Sequence, residues 1–300
     1  MLCMLKDEDL KRAEKFCKDE INTYVLYKAI SENSKDIQIK NHLLNLSKQE
    51  LEHYNFWKEI VGHECKPDIK PGFVFKLLYR LFGPIFTLQI IEGNESSTIE
   101  DYEDFLNKLD DENQRKILQK IINDEQEHEK QIIYDIKDLR VKYLSYVALG
   151  LADAIVEVSG VHAGFLGATD KTLIAGIAGL VVGFSAALSM AGAAYLQAKQ
   201  EKSVRASYGA TVTGFTYLIT VFVLALPYLL IRNIIDAFSI SLILATAMIS
   251  SFTYYSSVVH AQHFSKEIIE SLLMLFLTAI AGFFFGDIIG KIFGIRALIG

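Results

Sequence analysis

Long apolar stretches fill the second half of the chain and are missing from the first half. They cover residues 144–166, 173–197, 208–231, 234–259 and 268–294. Each has at least the roughly 20 residues that a helix needs to cross the hydrocarbon core of a bilayer. Only short connections separate them. The pattern therefore predicts five transmembrane helices, an odd number that puts the two ends of this region on opposite faces of a membrane.

The first half shows the helical period of a soluble bundle, with polar residues on the outward positions. Breaks at Asn33–Ser34, at residues 63–67 and at Pro71–Gly72 help to delimit four predicted helices, over residues 7–32, 36–62, 85–108 and 112–139. An apolar and basic stretch at 73–82 is expected to be either an amphipathic helix lying on the membrane or a crossover between the second and third helices. The predicted fold class is all-α, with a four-helix bundle followed by a five-helix membrane domain.

Charge divides the chain at the same place. Residues 1–142 hold 22 of the 30 Lys and Arg and 28 of the 36 Asp and Glu, whereas residues 143–300 hold eight of each sign. We therefore predict an acidic soluble domain over 1–140 and a membrane domain over 141–300. The acidic balance argues against nucleic acid as a partner and fits a domain that collects cations.

Cysteines and the N-terminus indicate an internal location for the first domain. Cys3, Cys17 and Cys65 form no C-x-x-C pair, and their odd number and scatter predict reduced thiols in a cytosolic domain. The first residues have no apolar signal-peptide core. Lys and Arg are also more numerous in the connections that would then lie inside.

Acidic residues and histidines in the first half follow an order typical of a di-metal site. Two Glu-x-x-His motifs each follow a single, well-separated glutamate. Residues i and i+3 of a helix point the same way, so four such helices would direct six ligands to one centre. Each motif alone is weak evidence because solvated helices are rich in Glu, whereas the complete order predicts iron or manganese. The residues are Glu20, Glu50 with His53, Glu92, and Glu125 with His128.

This order of ligands resembles the rubrerythrin branch of the ferritin-like superfamily, over roughly residues 10–139. The resemblance extends to the third helix, where Glu95 follows Glu92 as the additional glutamate found in rubrerythrins. It implies a di-iron cofactor, with manganese as the alternative, bound by all seven residues. No rubredoxin domain follows, so the usual electron donor is missing. Gly93 and Asn94 are poor helix formers and indicate a local irregularity between the two glutamates.

Polar side chains inside the first two spans indicate an ion path. Asp153 and Glu157 lie one turn apart, and a carboxylate within hydrocarbon is costly and by default marks an ion or proton path. The alternative is a buried pair held by neighbouring polar groups. Met190 offers a thioether to Fe²⁺, although methionine more often serves packing.

A second polar group is expected at the inner end of the membrane domain. His260 and His263 are predicted to face the same side of the fourth span, at the level of Glu201 and Glu267. They would form either a cytosolic entrance for the metal or an ordinary set of polar residues at the headgroup boundary.

The first two spans resemble the vacuolar iron transporter family, through LGLADAIV at 149–156 and GLVVGFSAALSMAG at 179–192. That family has five spans and works as a dimer. The resemblance implies a homodimer, proton antiport, and an ion path through Asp153 and Met190. The long Glu-rich insert of the eukaryotic members is replaced here by the short segment 198–207. A ferritin-like domain before a transporter domain resembles prokaryotic membrane-bound ferritins.

The combined interpretation is a proton-coupled Fe²⁺ exporter of a prokaryotic plasma membrane, with Mn²⁺ as the alternative cargo. Its cytosolic di-iron domain would collect or sense the metal, and no catalytic residue is assigned. The main alternative is a membrane-tethered peroxidase or ferroxidase whose spans are only an anchor. A structural membrane protein with a solvated acidic bundle is the third.

Overall fold

The computed structural model describes residues 7–68, 73–92, 95–135, 139–201, 205–260 and 262–295, without the side chains of 73–76, 91, 92, 95–97, 129–135 and 139. Within these ranges the regular structure is entirely helical, which confirms the predicted all-α class. The chain divides into two compact units, Met1–Asp138 and Leu139–Gly300.

Six helices lie within the described residues of the first unit. Asp36 starts α2 by accepting hydrogen bonds from two backbone amides of the first turn, and Gly62 ends it with a φ of 81°. The predicted helix over 85–108 corresponds to α4 and α5, and Gly93 and Asn94 between them lie outside the described part. The helices are α1 Asp7–Asn33, α2 Ile37–Val61, α3 Phe73–Phe82, α4 Pro84–Glu92, α5 Glu95–Leu106 and α6 Glu112–Asp135.

Aromatic side chains fill the core of this unit. Trp57 is fully buried, and its ring centroid lies 4.8 Å from that of Phe16 and 5.1 Å from those of Tyr102 and Phe105. Phe16 and Trp57 lie one turn from the predicted metal ligands on their own helices, because i and i+4 share a helix face. The core therefore supports the ligand positions directly.

A disulfide joins α1 to the loop after α2. Cys17 and Cys65 are bonded with their Cα atoms 6.0 Å apart. The prediction of reduced thiols is therefore wrong for this pair, while Cys3 lies outside the described residues. The two cysteines are 48 positions apart. Only the packing of α1 against α2 brings them together, so no local spacing in the sequence reveals the bond.

The described part of the second unit contains six further helices. Five of them, α8 to α12, are long and apolar enough to cross a membrane, as predicted. They extend the predicted spans by a few residues at several ends, where polar residues continue the helix. The helices are α7 Leu139–Lys142, α8 Leu144–Ala168, α9 Thr172–Glu201, α10 Ala206–Leu230, α11 Ile234–Val259 and α12 Phe264–Ile292.

Glycines let α8 and α12 pack backbone to backbone. A Cβ atom built on Gly282 would lie 2.5 Å from the carbonyl oxygen of Gly160, and one on Gly286 would lie closer still to that of Gly164. Small residues spaced by four allow this close approach between membrane helices. These small residues of the first span therefore serve packing within the chain.

Candidate metal centre

Five predicted ligands from three helices meet in the interior of the first unit. Each Glu-x-x-His pair lies on one helix, so its two side chains project from the same face. Every one of the five residues is buried, with at most 5% of its surface exposed. They are Glu20 from α1, Glu50 and His53 from α2, and Glu125 and His128 from α6.

The ligand atoms are close enough to share a metal ion. One ligand atom from each of Glu20, Glu50, His53 and Glu125 lies within 4.8 Å of the other three. His128 completes the group, since its Nδ1 atom lies 3.3 Å from Glu50 Oε1 and 3.5 Å from Glu125 Oε2. Three carboxylates and two imidazoles without a thiolate suit iron or manganese.

The Nδ1 atoms of both histidines point into this group. His53 Nδ1 lies 2.8 Å from Glu125 Oε1 and 3.6 Å from Glu20 Oε2. Within the described part of the chain, neither this atom nor His128 Nδ1 has a partner with hydrogen-bond geometry, although both are buried. Buried polar atoms are nearly always satisfied. A cation among the carboxylates would satisfy both nitrogens, so the residues fit a metal.

The outer Nε2 atoms of the two rings contact residues that the sequence analysis missed. His53 Nε2 lies 3.5 Å from Asp124 Oδ2, and His128 Nε2 lies 3.2 Å from Gln49 Oε1. With the proton on Nε2, each outer oxygen accepts it and leaves the Nδ1 lone pair for the metal. The signal in the sequence was the residue just before each motif, which is Asp in one case and Gln in the other.

Tyr102 of α5 is a further group at the centre that sequence reasoning missed. Its buried hydroxyl donates to Glu20 Oε1 at 2.5 Å. Burial and the neighbouring carboxylates, Glu20 first, raise the pKa of the Tyr102 hydroxyl well above its usual value. The tyrosine therefore remains a donor and fixes one oxygen of Glu20, leaving the other directed at His53.

The buried charges of the centre shift the pKa values of His53 and Glu125. Burial disfavours a charged His53 ring, but the carboxylates of Asp124, Glu125 and Glu20 outweigh it and hold the pKa of His53 well above its usual value. Burial likewise opposes a charged Glu125, but the two histidines outweigh it and lower its pKa. A metal needs the neutral imidazole, so its binding must release protons.

Two predicted ligands remain untested. Glu92 is the last residue of α4 and Glu95 the first of α5, but their side chains lie outside the described residues. Their role stays a prediction.

The ion-path candidates lie on neighbouring helices of the second unit. Asp153 and Glu157 of α8 are half-buried, and the Tyr217 hydroxyl of α10 donates to Glu157 Oε2. Met190 of α9 is also half-buried and packs against the apolar core of this unit.

The structure does not place the two histidines of the predicted cytosolic entrance on one helix. α11 ends at Val259, so His260 caps it, whereas His263 precedes the first turn of α12. The prediction that they share a helix face is therefore wrong. Glu201 at the end of α9 accepts a hydrogen bond of 2.9 Å from Tyr146 of α8, and Glu267 is half-buried in the first turn of α12.

His162 of α8 is a buried ionisable residue that the sequence analysis overlooked. Its ring centroid lies 4.0 Å from that of Tyr228, and it faces Gly179, where only a glycine leaves room. Neither ring nitrogen has a hydrogen-bond partner among the described residues. In the sequence this histidine interrupts an apolar run, and an ionisable residue at such a position was a signal of a possible functional site.

Comparison with known proteins supports the interpretation of the first unit. A family model described as Rubrerythrin matches residues 10–133. No curated protein and no solved structure matches the chain. The protein thus combines a rubrerythrin-like domain, whose family suggests iron, with five apolar helices that are able to span a membrane.

Proposed function

We propose that this protein carries Fe²⁺ out of the cell across the plasma membrane, and that its rubrerythrin-like domain collects or senses the ion on the cytosolic side. The observation that carries the proposal is the pair of acids on α8. Asp153 and Glu157 lie one turn apart within a helix that packs against the other four long helices of its unit. Carboxylates at such positions usually serve ion or proton movement.

An anchor would need neither these acids nor five spans, because one apolar helix suffices to hold a domain at a membrane. The hydrogen bond from Tyr217 leaves the second oxygen of Glu157 for another partner. Asp153 lies one turn away on the same helix. This pair and the thioether of Met190 are the proposed ligands of the ion during passage, with Mn²⁺ as a second cation that they would accept.

Protons are the proposed driving ion. Moving a divalent cation outward against a negative-inside potential costs about 4.6 kcal/mol per 100 mV, twice the cost for one charge. Protonation of Asp153 or Glu157 from the outer side would neutralise a ligand and release the metal there. The entrance residues Glu201, Glu267, His260 and His263, and a homodimeric assembly, belong to the same proposal.

The di-metal centre is proposed as a loading or sensing site. Glu20, Glu50, Glu125 and the two histidines would hold the metal, and iron bound there would also supply redox chemistry. Tyr102 orients Glu20, and Asp124 and Gln49 hold the outer ring protons. The buried position of all five ligands excludes bulk water from the centre.

Metal flux into or out of proteoliposomes, with and without a pH gradient, tests the proposal. We expect flux that depends on the gradient and that Asp153→Asn abolishes, because an amide cannot take up a proton in exchange for the metal. Asp170→Asn is the matched control, since Asp170 is exposed in the connection after α8. Normal flux through Asp153→Asn would overturn the proposed path.

A membrane-tethered peroxidase or ferroxidase is the second candidate. The buried contact between Tyr102 and Trp57 beside Glu20 favours it, because such aromatic rings are able to pass single electrons. Rapid peroxide consumption by the metal-loaded protein, together with the absence of flux under any gradient, would establish this function in place of transport.

A further inference from the structure

We propose that Cys17 and Cys65 are a reversible thiol–disulfide site whose oxidation state sets the metal affinity of the neighbouring centre. Its reaction partner would be a dithiol reductant of the cytosol. The proposal rests on the metal-binding role of the centre and on the cytosolic placement of the first unit proposed above. Disulfides of cytosolic proteins, where they occur, are usually transient and catalytic or redox-sensing.

The position of the bond connects it to the metal ligands. Cys17 lies one turn before Glu20 on α1, and Cys65 lies in the loop that follows α2, the helix of Glu50 and His53. The disulfide therefore ties α1 to the loop that leaves α2, and these two helices carry three of the four ligands grouped within 4.8 Å. Tyr102, which fixes Glu20, belongs to the same buried cluster as both cysteines.

The loop around Cys65 is suited to open locally. Cys65 itself is buried, but the residues on both sides of it, from Gly62 to Asp68, are exposed. The contacts of this loop include a 3.5 Å hydrogen bond from Tyr54 to the Cys65 carbonyl, an exposed ion pair between Lys58 and Glu64, and a 2.9 Å hydrogen bond from the exposed Asp68 amide to Asn22 Oδ1 of α1. Exposed ion pairs contribute little stability, so a brief opening would present the Cys65 sulfur.

Reduction then follows ordinary thiol–disulfide exchange. A thiolate of the reductant attacks the Cys65 sulfur, the bond to Cys17 breaks, and Cys17 leaves as a thiolate that takes a proton. The second thiol of the reductant attacks the mixed disulfide, which frees Cys65 as a thiol and closes a disulfide on the reductant. The protein disulfide gains two electrons and two protons, and the reductant loses both.

Reduction should loosen the ligand set without unfolding the domain. A buried free cysteine behaves as a small apolar residue, so the aromatic core around Trp57 can retain it. The cross-link between α1 and the loop after α2 is lost, however, and among the described residues Glu20 keeps its packing and its contacts with Tyr102 and His53. A less restricted ligand costs more entropy to fix on a metal, so affinity falls.

The coupling must act in both directions. If reduction weakens metal binding by some factor, bound metal must make the disulfide harder to reduce by the same factor. A cross-link that only stabilises the fold makes no such prediction for the metal.

The test uses the full-length protein in lipid nanodiscs, in a Cys3→Ser background so that only the pair titrates. Mn²⁺ is the probe, because it suits the donor set and does not itself exchange electrons with the thiols. Its dissociation constant is measured for the oxidised protein, for the reduced protein, and for the Cys17→Ser/Cys65→Ser variant. The ratio of dithiol to disulfide is measured by alkylation across a glutathione series, with and without Mn²⁺.

We expect the reduced protein and the double variant to bind Mn²⁺ more weakly than the oxidised protein by a similar factor, within the usual coupling range of about 5- to 150-fold. The thiol–disulfide equilibrium should shift by that same factor when Mn²⁺ is present. Equal Mn²⁺ affinity in the oxidised and reduced proteins would overturn the inference while leaving the metal centre intact. No Mn²⁺ binding by any form would overturn the metal centre as well.

Discussion

The two ring nitrogens of each histidine in the metal centre have different neighbours, and this difference assigns their roles. Nδ1 of His53 and of His128 faces carboxylate oxygens of the ligand set, whereas Nε2 faces Asp124 or Gln49 on the outside. An outer acceptor fixes the tautomer and the orientation of a metal-binding imidazole. Asp124 and Gln49 are therefore positioning residues.

Loss of the outer acceptor should weaken metal binding. Asp124→Leu keeps the branched shape at Cγ but removes the acceptor for His53, so we expect metal affinity to fall by about 10- to 100-fold. Glu127→Gln is the control, because Glu127 is exposed on the same helix. Calorimetric titration with Mn²⁺ measures both variants. Unchanged affinity in Asp124→Leu would show that the contact does not orient the ring.

The raised pKa of His53 predicts how pH acts on the metal-free domain. The folded state holds the proton more tightly than the unfolded state, since Asp124, Glu125 and Glu20 surround the ring. This stabilisation is fully present below pH 6.5, the ordinary value of histidine, and is lost as pH rises through the higher folded value. A difference of one between the folded and unfolded pKa of His53 would contribute about 1.4 kcal/mol to the free energy of unfolding.

Fluorescence of Trp57, the single tryptophan of the chain, reports unfolding of this domain alone. Across that pH window the metal-free protein should lose stability as pH increases, and His53→Gln should flatten the slope. Stability that rises with pH over the same window would contradict the assigned charge state.

At the scale of helices, local signals in the sequence predicted where helices begin and end. They did not predict features that depend on tertiary contacts. Asp36 and Gly62 cap the two ends of α2, and the length of the apolar stretches defined the five spans. The disulfide, by contrast, depends on the packing of α1 against α2. The outer contact of His53 and the contact from Tyr102 likewise depend on side chains that meet only after the bundle forms.

The histidines after α11 show a different limit. Their spacing of three suggested one helix face, but the helix ends before the first of them, so spacing had no geometric meaning there. For the Glu-x-x-His pairs the same spacing worked because both lie well inside long helices. The ligand grouping was thus predictable, whereas its supporting contacts were not.

The close glycine contact between α8 and α12 leads to a prediction about the stability of the membrane unit. Gly286→Ala places a methyl group against the Gly164 backbone, which has no rotamer to move aside, so we expect a loss of about 1–3 kcal/mol from overpacking. Gly192→Ala is the matched control, since no atom lies within 4 Å of a Cβ there. Thermal unfolding in detergent compares the two. Equal melting temperatures would contradict the close backbone packing.

At the scale of the whole molecule, the chain joins two units with separate chemistry. The first concentrates the acidic charge and a buried group of five potential metal ligands, and the second carries few charges but two acids within one apolar helix. If the first unit supplies metal to the second, their defects should be separable. Glu125→Gln should remove metal from the bundle, whereas Asp153→Asn should leave that metal in place.

The most direct test of the central claim is Fe²⁺ flux through proteoliposomes under a pH gradient, with bound metal quantified in the same samples. We expect Asp153→Asn to retain the bundle metal and lose all flux. Glu125→Gln should lose the bundle metal and transport poorly at low Fe²⁺, with recovery at high Fe²⁺ because its membrane path is intact. Gradient-dependent flux of normal size through Asp153→Asn would contradict the account.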